Sequence, residues 1–273
     1  LTHNPVLKTQ LENFLKDVDI YNDREDLVDE KGGDIHVVIG GDGTLNYFLN
    51  NEQAVIEGEN VSLLYFPMGT ANDFAKSFKI SQYFPSLERI IDAVQSSYKI
   101  KIPSMLCNER LFLNAASLGL PANISEDQNS VLKKIAGPIS YHLSALSELF
   151  AHEQAQEVSI DNETFKTLGV VISQGLYAGG GAKVNPHFNP QIGKTFSLIM
   201  HTGENVGPCL SAFFSMQTND FENMPPEIMT KDYERVVLSF KNKQKIKLDG
   251  EVYEASDFEF KKSKVELNFY CQH

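Results

Sequence analysis

Two glycine-bearing segments hold the residues in this chain best suited to chemistry: Gly40-Gly41-Asp42-Gly43-Thr44 and Pro67-Met68-Gly69-Thr70-Ala71-Asn72-Asp73-Phe74. Each follows an apolar, strand-like run, Ile35-His36-Val37-Val38-Ile39 before the first and Val61 to Phe66 before the second. Glycines at a strand's C-terminal edge permit positive φ and let backbone N–H groups approach a phosphate that a Cβ would obstruct. A helix is predicted to open at each turn, over Leu45 to Asn50 and Asn72 to Phe78, which aims free N–H groups and helix dipoles at the same anion. Asp42 and Asp73 are then the carboxylates able to hold or orient a metal ion, and Thr44 and Thr70 supply hydroxyls.

A third constellation, Asp249-Gly250-Glu251, follows Lys241 to Leu248. If that run is a strand, Lys241, Lys243, Lys245 and Lys247 share one face. The row of ammonium groups then serves either to meet an anionic lipid surface or to keep an exposed edge strand soluble. Asp-Gly is equally a common hairpin turn. Phosphoryl transfer needs a phosphate cradle, a metal ion to neutralise charge and a carboxylate to take the acceptor's proton. The two turns and the pair Asp42 and Asp73 are candidates for the first two parts, while Asp249-Gly250-Glu251 offers carboxylates for the third that the residues alone do not distinguish from a turn.

Positioning such groups calls for an α/β unit. The first ~100 residues alternate helical and strand patterns, as in βαβ units with a parallel sheet. Leu7, Leu11, Phe14 and Leu15 recur at helical spacing, and Leu87, Ile90, Ile91 and Val94 line one face of Ser86 to Ser96. After Lys99, short β-branched or alternating runs dominate: 110–115, 156–160, 168–173, 195–200, 235–240, 245–248 and 265–270. They predict a β-sandwich-like carboxy-terminal part or a comparable open β fold, interrupted by a single strong helix from Pro138 to about His152. The apolar stripe of that helix packs on the sheet or docks on lipid. The predicted division is 1–99 for an α/β nucleotide-binding domain and 100–273 for a β-rich substrate-binding domain.

The 273 residues carry a net charge of −12, which argues against a nucleic-acid binder. Cys107, Cys209 and Cys271 are too dispersed for a metal knuckle and too few for a disulfide framework, which predicts reduced thiols in a cytoplasmic setting. The seven histidines lack metal-ligand spacing. No run approaches the ~20 apolar residues of a membrane span, and the amino end lacks the pattern of a secretory signal. Because the chain starts at Leu1 rather than Met, a few further residues are expected before it.

The two turns resemble the signatures of the diacylglycerol kinase catalytic-domain family, in particular its small soluble bacterial lipid kinases. The resemblance continues through Phe112-Leu113-Asn114-Ala115-Ala116-Ser117-Leu118-Gly119, Leu132-Lys133-Lys134-Ile135-Ala136-Gly137-Pro138, Gly179-Gly180-Gly181 and Asp249-Gly250-Glu251. NAD kinases share the Gly-Gly-Asp-Gly-Thr turn, but Gly69 to Ala75 is similar to the lipid kinases alone. The resemblance implies ATP held by Gly40, Gly41, Asp42, Gly43, Thr44, Gly69, Thr70, Asn72 and Asp73, with Mg²⁺ on Asp42 and Asp73. It implies Glu251 or Asp249 as general base, a lipid acceptor such as diacylglycerol reached by peripheral contact with the inner face of a membrane, and a structural place for Gly179 to Gly181. A homodimer stays open.

Three departures from the family pattern favour a rival, a non-catalytic relative that binds nucleotide or lipid as a sensor. Asn4-Pro5 is not followed by Ser-Gly, Tyr47 follows Asn46 where relatives carry Glu, and Ile192 stands where relatives carry the Asp of a structural Mg²⁺ site.

Overall fold

The computed structural model describes residues 36–51, 61–80, 99–119, 154–185, 187–189, 195–218 and 220–270, with isolated positions elsewhere. The helices expected before residue 36, over 86–96 and over 138–152 lie outside the described residues, as do Ile192 and Cys271. Strand β1 (His36–Gly40) leads into helix α1 (Asp42–Asn51), and β2 (Val61–Pro67) into the short helix α2 (Asp73–Ser77). β1 and β2 are parallel, in register from His36 opposite Leu63 to Gly40 opposite Pro67, so both glycine turns leave the same end of the sheet.

The remaining strands are β3 (Lys99–Cys107), β4 (Arg110–Phe112), β5 (Ala115–Gly119), β6 (Gln156–Ile160), β7 (Glu163–Thr167), β8 (Gly169–Ser173), β9 (Tyr177–Ala178), β10 (Ala182–Lys183), β11 (Phe196–His201), β12 (Ile228–Tyr233), β13 (Arg235–Leu248) and β14 (Glu251–Tyr270). Helix α3 (Val206–Thr218) separates β11 from β12. All strands but β9 and β10 join one mixed sheet ordered β1-β2-β14-β13-β5-β8-β11-β12, with β3, β4, β6 and β7 attached beside it. β14 ties the two halves of the chain together, because Leu267 to Phe269 pair in parallel with Val61 to Leu63.

One core, around Met105, Ile172, Leu198, Leu238 and Phe260, is built from strand residues alone. The strands after Lys99, β9 and β10 apart, join the same mixed sheet as β1 and β2. A second core packs α1 and α2 on β1 and β2, and it draws Ile102, Leu111, Leu113, Leu267 and Phe269 from beyond residue 99.

Two sequence expectations need correction. α3 is a further helix in the β-rich part, where the residue pattern implied a single one. Its 13 residues contain no charge, so no polar face marks it, and Pro208 sits in the first turn, where no N–H is required. The predicted lysine row does not survive either. β13 shifts register between Ser239 and Gln244, and although Lys245 and Lys247 share a face beyond that point, Lys241, Lys243 and Lys245 are exposed while Lys247, beneath the cavity, is only 7% exposed. Nor is β13 an edge, being paired with β14 on one side and with β5 and β6 on the other.

Candidate active site

The two turns interlock through their backbones. Met68 N–H donates to the Gly40 carbonyl at 2.8 Å. A Cβ on Gly69 would lie 2.6 Å from the Gly41 Cα, and one on Gly40 would lie 2.5 Å from the Thr44 hydroxyl. None of Gly40, Gly41, Gly43 or Gly69 has a positive φ. The glycines are thus required by close packing of one turn on the other, and the left-handed freedom expected of them is unused. The residue that does adopt that conformation is Asn72, at φ 51°. Its amide accepts from Gly69 N–H at 2.8 Å and donates to the Gly69 and Pro67 carbonyls at 2.8 and 3.2 Å. Asn72, expected to bind cofactor, spends its side chain knitting the second turn. Thr44 is half-buried and Thr70 exposed at the turn surface.

Crossing bonds bring the carboxylates together. One Asp42 oxygen, Oδ2, accepts the Asp73 N–H at 2.8 Å, and Asp73 Oδ2 accepts the Gly180 N–H at 2.8 Å. The Gly179–Gly181 loop, with positive φ at all three residues, therefore packs against Asp73. The other oxygens, Asp42 Oδ1 and Asp73 Oδ1, are buried without a hydrogen-bond partner. Burial, reinforced by the neighbouring Asp249 charge, pushes the Asp42 carboxyl from its ordinary 3.8 up to about 7. Burial also raises Asp73, against the opposing effects of the Gly180 amide and Lys76.

Asp249 opens the hairpin turn between β13 and β14, with Asp249 at φ 48° and Gly250 at φ 101°, the double positive φ of a tight hairpin. Its Oδ1 accepts N–H bonds from Asn114 and Ala115 at 2.9 and 3.0 Å, and its Oδ2 accepts from Leu113 at 2.6 Å and from the Asn46 amide at 3.4 Å. These bonds turn the 113–115 backbone inward and break the predicted strand 110–115 into β4 and β5. Burial raises this carboxyl although all four donors oppose it. Asn46 also donates to the Leu111 carbonyl at 3.1 Å, and Asn50 holds Leu111 through both its N–H and its carbonyl at 2.8 Å. These two asparagines fasten α1, and with it Asp42, to the strand pair that carries Asp249.

Asp42, Asp73 and Asp249 line one end of a cavity of about 380 Å³, within the usual range for small-molecule sites. Its floor is one face of β5, β8 and β11. Registered neighbours Lys247, Ser117, Val171 and Ile199 form one row across it, and Gly169 and His201 lie two residues further along their strands. The alternate residues Ala116, Ile172 and Leu198 point into the strand core. Ala212, Phe213 and Met216 of α3 supply the opposite wall. Glu251, registered against Leu248 at the start of β14, is not among the residues facing this cavity. The third carboxylate of the site is thus Asp249 rather than Glu251.

Two buried carboxylate oxygens without proton donors are the donor type a hard cation takes. Among the described residues no group of three or more His, Cys, Asp or Glu side chains could hold a metal. A Mg²⁺ ion on Asp42 and Asp73 would therefore complete its shell with waters and phosphate oxygens, as this ion commonly does. The residues fit it on those terms. Asn46 and Asn50 escaped the sequence reading, since their partners lie across the fold rather than nearby in the chain, and so did His201, whose place in the cavity leaves no local signal.

Among the described residues no helix is long and apolar enough to cross a membrane. Residues 12–102 match the sequence profile of the diacylglycerol kinase catalytic domain. A protein of Staphylococcus saprophyticus named "Diacylglycerol kinase" is 27% identical over 227 residues, covering 81% of this chain and 72% of its own. A Staphylococcus carnosus protein named "Putative lipid kinase" is 28% identical over 258 residues, covering 89% of this chain and 80% of its own. The fold is similar to the crystal structure of "a putative diacylglycerol kinase" from Bacillus anthracis, with a TM-score of 0.63 at 19% identity over 88% of this chain and 78% of that one. The chain is thus similar to the diacylglycerol kinase catalytic domain over residues 12–102 and, over most of its length, to bacterial proteins named as diacylglycerol or lipid kinases.

Proposed function

We propose that the chain is an ATP-dependent lipid kinase that transfers the γ-phosphoryl group to a lipid hydroxyl. The observation that carries this reading is the meeting of Asp42, Asp73 and Asp249 at one end of a cavity whose other walls are largely apolar. The names of the staphylococcal relatives support the same class. Asp42 and Asp73 would hold Mg²⁺, which neutralises phosphate charge in such reactions.

The protein's own groups bind, orient and accept a proton. The turn backbones at Gly40–Gly41 and Gly69–Thr70 present the α1 and α2 N-termini to the nucleotide. The apolar walls take the acceptor's hydrocarbon and exclude water from the reacting end. Asp249 takes the acceptor's proton at Oδ2, because the Asn46 contact on that oxygen is long at 3.4 Å and can yield while Asn46 keeps its bond to Leu111. The raised affinity of this buried carboxyl for protons suits it to the role.

The test is transfer of radiolabel from ATP to vesicles of mixed lipid extract in the presence of Mg²⁺, comparing wild type with Asp42→Ala. Label in an organic-phase product with wild type alone is the expected result, and chromatography of that product names the acceptor. ATP binding without transfer would replace this reading with a nucleotide-binding sensor, the alternative favoured by Tyr47 and by the position of Glu251 away from the cavity. Phosphorylation of NAD instead would assign the chain to the soluble-substrate kinases that share its first turn.

A further inference from the structure

His201 is buried to 4% exposure, lines the cavity, and has no hydrogen-bond partner on either ring nitrogen. The alternation of β11 aims it there, since its neighbours Met200 and Leu198 point the other way into the core. Around it stand the Gly169 backbone, Ile228 across the strand pair, the α3 face and the turn at Gly203, and the charge of Glu227 reaches it, yet none of these pairs with either ring nitrogen. Burial of an imidazole without a partner is costly. An unsatisfied group of this kind, at the end of the cavity away from its carboxylates, points to a ligand atom that completes it. Burial keeps the ring below its ordinary pKa and hence neutral. The Asn205 backbone works against that shift but makes no hydrogen bond of ordinary geometry with the ring.

We propose that His201 is a specificity-determining residue that hydrogen-bonds a hydroxyl carried on the hydrocarbon chain of the acceptor lipid. A neutral imidazole offers one donor and one acceptor. A hydroxyl, which is both, satisfies the ring whichever nitrogen carries the proton, whereas a carbonyl or ether oxygen can use only the protonated one. The place of that hydroxyl on the substrate follows from the sheet. Asp249 aligns with Ala115, Ser173 and Ser197 across β5, β8 and β11, and His201 lies four residues beyond Ser197. At ordinary strand spacing and rise the two ends of the cavity are on the order of 15–20 Å apart. The hydroxyl therefore sits well along the chain, far from the reacting hydroxyl and from any ester that adjoins it. The inference rests on the lipid kinase reading, which supplies the acceptor.

The experiment compares two acceptors in detergent micelles, octadecanoyl glycerol and 12-hydroxyoctadecanoyl glycerol. In the second, an extended chain of single bonds of ~1.5 Å places the added oxygen within that range. Wild type is expected to favour the hydroxylated lipid by about five- to tenfold in kcat/KM, the scale of one net hydrogen bond. His201→Leu should bring that ratio to about one, and His201→Gln, which keeps a donor and an acceptor, should restore part of it. A ratio near one in wild type with both lipids phosphorylated overturns the assignment of His201 and leaves the lipid kinase reading intact. If neither lipid is phosphorylated, that reading fails, and ¹⁵N spectra of histidine-labelled protein decide the binding role. A His201 ring resonance shifted by the hydroxylated lipid and not by the plain one supports the site, and identical spectra with both lipids overturn it.

Discussion

Replacing Asp42 by Asn in the metal-free protein should make the fold more stable at pH 8 and remove the part of its pH dependence that Asp42 supplies, leaving that of Asp73 and Asp249. In the unfolded chain this carboxyl titrates near its ordinary 3.8, whereas in the fold burial and then the Asp249 charge lift it to about 7. Below about pH 4 both forms hold the proton, and Asp42 contributes no pH dependence. Between pH 4 and 7 only the unfolded chain releases it, so stability falls as pH rises, and above 7 the loss is complete. The span corresponds to a ceiling of about 4 kcal/mol. The substituted amide would be neutral throughout and can still accept the Asp73 N–H through its carbonyl oxygen, so the local geometry is kept. Because part of the wild-type penalty relaxes through water and side-chain movement, a gain of about 1–2 kcal/mol at pH 8 is expected. Chemical denaturation of both proteins in EDTA at pH 5 and pH 8 measures it. If the proposed cation binds the native carboxylate pair, Mg²⁺ added at pH 8 should raise the stability of wild type and leave Asp42→Asn unchanged. An equal fall in stability between pH 5 and 8 in the two proteins, with or without Mg²⁺, would refute the claim that Asp42 is a buried, charge-strained carboxylate awaiting a cation.

Two further outcomes follow from the same geometry. Asp249→Asn should lower phosphoryl transfer by about 10²-fold or more, the scale of a lost general base, and should cost about 2–3 kcal/mol in a denaturant titration, because its amide nitrogen must face a backbone N–H of the 113–115 turn. Gly69→Ala should cost about 1–3 kcal/mol, since its methyl would sit 2.6 Å from the Gly41 Cα, and it should weaken nucleotide binding measured by calorimetry in proportion to the separation of the two turns.

The parts of the site that could be read along the chain were those whose chemistry is local. A glycine and an aspartate directly after an apolar run mark a strand edge and a helix start within a few residues. Asp42 and Asp73 could therefore be named from spacing, and the fold joins them through one hydrogen bond. Asn46 could not, because its role depends on Leu111 and Asp249, 65 and 203 residues away in sequence. Lys247 and Glu251 were misplaced for a related reason. Beyond the bulge the register runs unbroken from Gln244 to the hairpin, so alternation places Lys245 and Lys247 on one face and cannot show that the cavity covers one and leaves the other open.

The cavity itself was hidden by a different effect. Strands β8 and β11 are buried on both faces, so Gly169 to Ser173 and Phe196 to Met200 read as unbroken runs of the kind that fill a core. Only one face of each does so. The other lines a space bounded by carboxylates at one end and by His201 at the other, and an apolar residue facing a lipid chain is of the same type as one facing a neighbouring strand. Composition along these strands therefore cannot separate a core from a pocket for hydrocarbon. What separates them is the polar atom that a core would have satisfied. Asp42 Oδ1, Asp73 Oδ1 and both nitrogens of His201 are all buried and unpaired, and all three residues face the same cavity. The hydroxyl of Tyr65 is also buried and unpaired but does not line the cavity, so it is the convergence of the two carboxylates and the imidazole on one space, and not every orphaned group, that fits a phosphate-bound cation and a hydroxylated chain as the partners they lack.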